Sequence, residues 1–139
     1  MIVLDTNVLS AIMRPDREPG IIAWFDRLPA GGTYLTSITV FEVRAGVLRL
    51  DDGARRRDLA MRLSILFEEI FRDRILPFDA AAAEAAAALA ERRRQSGHTV
   101  DVHDGFIAGI VLSRGATLAT RNRRHFDDCG IRLVDPWTM

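Results

Sequence analysis

Asp5, Glu42, Asp104 and Asn122 are far apart in the chain, yet each sits beside an apolar run that could carry it to a common place. "MIVLDTNVLS" leads Ile2, Val3 and Leu4 straight into Asp5. Glu42 lies in "SITVFEVRAGV", Asp104 in "DVHDGFIAGIVLSR", and Asn122 directly after "ATLATR". Carboxylates crowded together repel one another, and some are forced to keep a proton. A divalent cation removes that conflict. Mg²⁺ and Mn²⁺ take oxygen ligands, often one or two carboxylates with water and phosphate. The sequence has no His pair at i, i+4 and a single cysteine, Cys129, so this ligand set does not suit zinc. An acid-only site points to phosphate-ester chemistry.

The elements that must position these residues alternate in type. "MIVLD", "TYLTS", "RILPFD", "ATLAT" and "IRLVD" read as short buried strands. Helical patterns lie between them: "TNVLSAIMR", "GIIAWFDRL", "ITVFEVRAGVLRL", Ala54–Asp73, Ala80–Gln95 and Asp104–Arg114. Gly115 is placed to cap the last of these. The alanine-rich face of "AAAAEAAAALAERRR" predicts close packing on the sheet. The alternation predicts one α/β domain over 1–139, a doubly wound parallel sheet of about five strands flanked by helices. Such sheets bind ligands beyond the carboxyl ends of their strands, where the strand order reverses. Asp5, Glu42, Asp104 and Asn122 all fall at that edge.

Composition narrows the alternatives. The chain has 139 residues, 48% of them hydrophobic, and net charge zero. All 19 basic residues are Arg. The absence of Lys excludes a P-loop and a pyridoxal-phosphate enzyme, since both need one. Cys129 has no partner for a disulfide, and no Cys or His motif accompanies it, which predicts a buried, idle thiol. No run is apolar and long enough to span a bilayer, and the start lacks a signal-peptide pattern, so a cytoplasmic location is expected.

Each acid also has a purely structural use. Asp5 can cap the helix that follows it. Thr39 to Glu42, "TVFE", matches a capping box. Asp101 can cap the helix whose first turn holds Asp104, an acid that the helix dipole favours there. Asp79 and Asp135 read as a cap and a turn residue. His98, His103 and His125 read as solvated loop or helix-surface residues.

Taken together, the motifs resemble the PIN-domain family, most closely its VapC-type and FitB-like toxins. "MIVLDTNVLS" looks like the family's opening, with Asp5 as the first acid and Thr6 beside it. "SITVFEVRAGV" matches the segment with the second acid, Glu42, and "DVHDGFIAGIVLSRGATLATRNRRHF" the stretch with the third, Asp104. "LVDPW" resembles the family's close. Where many members carry a fourth acid after T-R, this chain has Asn122, whose amide oxygen supplies no charge. Asp101 is an additional acid ahead of the third.

The resemblance implies a Mg²⁺- or Mn²⁺-dependent endoribonuclease, the toxin of a type II toxin–antitoxin pair, with Asp5, Glu42 and Asp104 at the metal. It implies in-line attack of an activated water on RNA phosphorus with loss of the 3′-oxygen. Thr6, Asn122 and Asp101 stand behind the acids, and Arg44, Arg121, Arg123 and Arg124 are candidates for holding backbone phosphates. The implied partners are RNA, a small antitoxin and a second copy of the chain, with DNA reached only through the antitoxin and no membrane. The apolar residues of "MRLSILFEEIFRDRI" and "GIIAWFDRL" exceed one core-facing stripe, which also predicts a covered groove or dimer face. The alternative is a non-catalytic PIN-like scaffold or corepressor in a DNA-bound complex, favoured by Asn122. Haloacid-dehalogenase-type phosphatases and receiver domains also begin with a strand ending in Asp. Both need a lysine that is absent here, and the former also need an Asp where this chain has Asn7.

Overall fold

In a computed structural model, residues 1–98 and 101–139 are described. Five parallel strands form one sheet in the order β3-β2-β1-β4-β5. They are β1 (Ile2–Leu4), β2 (Thr33–Thr36), β3 (Ile75–Leu76), β4 (Thr117–Ala119) and β5 (Arg132–Val134). Each coincides with one of the apolar runs read from the sequence. Strand β1 is central. The chain winds outward through β2 and β3, then returns across β1 to lay down β4 and β5. The order therefore reverses between β1 and β4, whose register pairs Leu4 with Ala119.

The helices are α1 (Thr6–Ile12), α2 (Pro19–Asp26), α3 (Ser37–Leu48), α4 (Ala54–Ile65), α5 (Ala80–Ser96) and α6 (Val102–Arg114). Two apolar layers cover the sheet. One joins Val3 and Leu118 to Ala82, Leu89, Ile107 and Val111 of α5 and α6. The other joins Leu4 and Leu35 to Val8, Leu9, Trp24, Leu63 and Phe67 of α1, α2 and α4 and its extension. Val3 and Leu4 thus face opposite layers, as adjacent strand residues must.

Several local expectations change. The alanine face of α5 meets α6 rather than resting mainly on the sheet. A Cβ added at Gly109 of α6 would lie 2.5 Å from the Ala82 carbonyl oxygen and 2.8 Å from the Ala86 Cβ. Helix α3 starts at Ser37, because β2 runs into it without a loop and the Thr36 hydroxyl accepts from the Thr39 N–H. Glu42 is therefore in the second turn and has no part in a capping box. The helix expected over Ala54–Asp73 stops at Ile65 and continues as a wider π turn over Leu66–Ile70. Trp24 is buried and Phe25 packs beside it, so the aromatic pair of α2 belongs to the core. Met61, Ile65 and Ile70 remain exposed, as do Phe41 and Leu48 of α3. Gly97 and Gly115 end α5 and α6 in the left-handed conformation.

Candidate active site

The switch point between β1 and β4 delivers the first acid. Asp5 leaves β1 with its N–H donating to the Ala119 carbonyl, and it caps α1 through its Oδ1, which accepts from the Thr6 N–H at 2.8 Å. The capping use is real, but it leaves Oδ2. That oxygen accepts from the Thr120 hydroxyl at 2.7 Å and from the Asn7 amide at 3.1 Å. Asp5 is only 4% exposed. Burial pushes its carboxyl up to about 6, against the pull of the Thr120 and Thr6 hydrogen bonds, and the nearby charges of Asp104 and Glu42 push the same way. Asp5 thus feels both other acids across the rim.

Glu42 comes from α3 and Thr6 ties it to Asp5. The Thr6 hydroxyl donates to Glu42 Oε1 at 2.7 Å and lies 3.1 Å from the Thr39 hydroxyl. His103 Nδ1 stands 3.9 Å from Glu42 Oε2. Asp104 is in the first turn of α6, and its Oδ2 lies 2.7 Å from His125 Nδ1. Asp101 caps that helix, with its Oδ1 accepting from the His103 and Asp104 N–H groups.

Among the described residues no three His, Cys, Asp or Glu side chains form a ready-made metal cluster. Each acid is engaged by partners of its own, Thr120 and Asn7 for Asp5, Thr6 for Glu42, His125 for Asp104. The donor set nevertheless fits a hard cation. It is all oxygen, it carries more negative charge than burial favours, and the Asp5 carboxyl is pushed up to about 6 as a consequence.

The remaining candidates separate. Asn122 is exposed, and its N–H donates to the Thr120 hydroxyl that also holds Asp5. Arg121, Arg123 and Arg124 are exposed on the same turn, with the Arg121 guanidinium over the Trp137 ring. Arg44 is committed elsewhere, donating to the Ala60 carbonyl and the Ser64 hydroxyl and lying over Phe67. Other arginines share a groove with Glu42. A groove of about 800 Å³ runs from Thr6 and Glu42 between α1, α3 and α4, flanked by Arg14, Arg17, Arg55 and Arg62. The sequence offered no signal for these arginines, because their grouping exists only once α4 folds over α3. Thr120, by contrast, was within reach, since the register of β4 beside β1 puts it next to Asp5.

A family model described as the PIN domain matches residues 2–131. The chain belongs to the PIN-domain family. Its similarity to PIN-domain relatives is end to end. It is 36% identical over 137 residues to the toxin FitB of Neisseria gonorrhoeae, covering 99% of each chain. It is 34% identical over 137 residues to the VapC ribonuclease Y4jK of Sinorhizobium fredii, covering 99% of this chain and 98% of that protein. Among solved structures, the FitAcB complex from Neisseria gonorrhoeae contains a chain that superposes with a TM-score of 0.92 at 35% identity, with both chains fully covered. A structure of FitAB bound to an IR36 DNA fragment gives a TM-score of 0.91 at 34% identity, over 100% of this chain and 97% of that one. This PIN domain therefore has the VapC-type and FitB-like architecture that its motifs resemble.

Proposed function

We propose that this PIN-domain protein is a divalent-metal-dependent endoribonuclease and the toxin of a toxin–antitoxin pair. The observation that carries the proposal is the burial of Asp5 within reach of two further carboxylates, a place that holds surplus negative charge. Asp5, Glu42 and Asp104 would hold Mg²⁺ or Mn²⁺. Such an ion, when bound, polarises a phosphodiester and makes water a stronger acid. The protein's own residues supply the geometry. Thr120, Asn7 and the Thr6 N–H fix both oxygens of Asp5, and the Thr6 hydroxyl fixes one oxygen of Glu42. Arg121, Arg123 and Arg124 would grip backbone phosphates beside the rim, a contact that weakens as salt rises. The relatives' names, a VapC ribonuclease and a FitB toxin, support RNA as substrate.

The groove beside Glu42 supports the partner. Its apolar floor includes Met13, Val43, Val47 and Leu63, and its walls carry arginines. An amphipathic helix with acidic flanks, presented by a small antitoxin, fits that lining. The likeness to FitAB bound to DNA supports an indirect link to DNA through the antitoxin. The test is cleavage of labelled RNA by purified protein. EDTA should abolish it and Mg²⁺ or Mn²⁺ should restore it. Full-rate cleavage after EDTA treatment would overturn the metal mechanism. One observation favours a second reading: Asn122, at the fourth-acid place, adds no charge and is exposed. A catalytically silent scaffold predicts no saturable Mn²⁺ binding, so a direct titration separates the two.

A further inference from the structure

We infer that His125 is a positioning residue that aims Asp104, and that buried Arg93 holds His125 in place. The inference rests on the metal-nuclease proposal above. Asp104 is held at one oxygen only. Its Oδ2 lies 2.7 Å from His125 Nδ1, and its Oδ1 has no hydrogen-bond partner among the described residues. An ionised carboxylate can only accept, so Nδ1 carries the proton in this contact. A carboxylate pinned at one oxygen presents the other in a fixed direction. Its orientation is then settled during folding rather than at cation binding.

His125 itself is exposed, and an exposed side chain ordinarily wanders. Here its backbone is fixed from both sides. Its N–H donates to the Asn122 carbonyl at 3.0 Å, and its carbonyl accepts from Arg93 at 2.7 Å. Arg93 reaches over from α5 and is 5% exposed. The same guanidinium grips Asp128 with two hydrogen bonds, at 2.9 and 3.0 Å, and touches the Cys129 sulfur at 3.0 Å. This pairing holds the Asp128 carboxyl down at about 2, while burial pushes the Cys129 thiol up to about 11. A buried guanidinium is tolerated only when its charge and donors are matched. The turn from Asn122 to Cys129 is thereby hung on α5 as one block. Because α5 and α6 touch at Gly109, that block and Asp104 keep a fixed separation.

The experiment compares the full chain with His125→Ala and His125→Asn after EDTA stripping. Asn places an amide nitrogen close to the position of Nδ1. Calorimetric titration with Mn²⁺ should show His125→Ala weakened by about tenfold or more, the usual effect of removing a ligand's outer partner. His125→Asn should bind within about threefold of the parent. Melting temperatures of the three should agree, since the side chain is exposed. On a short RNA, kcat should fall in His125→Ala with KM unchanged. Parent-like Mn²⁺ affinity in His125→Ala would overturn the positioning role alone. Loss in His125→Asn equal to that in His125→Ala would overturn it too, since a held donor would then not suffice. A parent that itself binds no Mn²⁺ would overturn both this inference and the metal-nuclease proposal.

Discussion

Replacing Asp5 by Asn should stabilise the metal-free protein at neutral pH and leave no such gain in acid. The folded protein keeps a proton on Asp5 up to about pH 6, whereas the unfolded chain loses it near the ordinary value of 3.8. Between those values the folded state binds more protons, so stability falls as pH rises through the window. Above pH 6 the loss is complete. A difference of about 2 pKa units corresponds to about 3 kcal/mol. Asparagine removes that term, but it turns one acceptor into a donor facing Thr6, or facing Asn7 and Thr120. A misplaced hydrogen bond of this kind costs about 1 kcal/mol. The mutant should therefore be less stable than the parent by about 1 kcal/mol at pH 4 and more stable by about 2 kcal/mol at pH 7.5. Urea denaturation of both proteins in EDTA at the two pH values measures the swing. Saturating Mn²⁺ should then recover stability in the parent but not in the mutant. A parent–mutant difference that stays flat from pH 4 to 7.5 would refute the claim that Asp5 is strained by burial and neighbouring charge.

Asp104→Asn should keep the fold and lose RNA cleavage below detection; retained cleavage with a lower melting temperature would make Asp104 a helix-terminus residue and nothing more. Asn122→Asp should tighten Mn²⁺ binding in calorimetry, because it restores a charge at the rim, and unchanged affinity would place position 122 out of reach. Gly109→Ala should cost about 2–3 kcal/mol in urea denaturation, since the added methyl meets backbone as well as the Ala86 side chain. Light scattering after size exclusion should give a homodimer that covers apolar residues such as Met61, Ile65 and Ile70; a monomer near 15.5 kDa at micromolar concentration would contradict it.

The sheet was legible because its strands are short, apolar and bounded by polar residues, so Asp5 after β1 and Asn122 after β4 could be placed from the sequence. The meeting of Asp5, Glu42 and Asp104 at one rim follows from parallel strands whose carboxyl ends share an edge. The partners of those acids were not legible. Nothing in "TRNRRHF" says that His125 turns toward Asp104; a buried arginine on another helix sets that turn. Arg44 looked free because composition does not record that α4 would claim its guanidinium. The capping box at Thr39–Glu42 failed for a local reason. β2 ends in a threonine able to cap the helix itself, which moves the helix start three residues earlier.

The hydrogen bond between Thr120 and Asp5 spans 115 residues of sequence. Pairing at such separation must wait for the whole intervening chain, and loop closure of that length is slow compared with helix formation. A nascent chain on the ribosome that lacks β4 can have α1, α3 and much of one layer in place. It still has no Thr120 for Asp5 and no His125 for Asp104. A chain that ends before β4 therefore lacks two of the groups that fix the carboxylates of the rim.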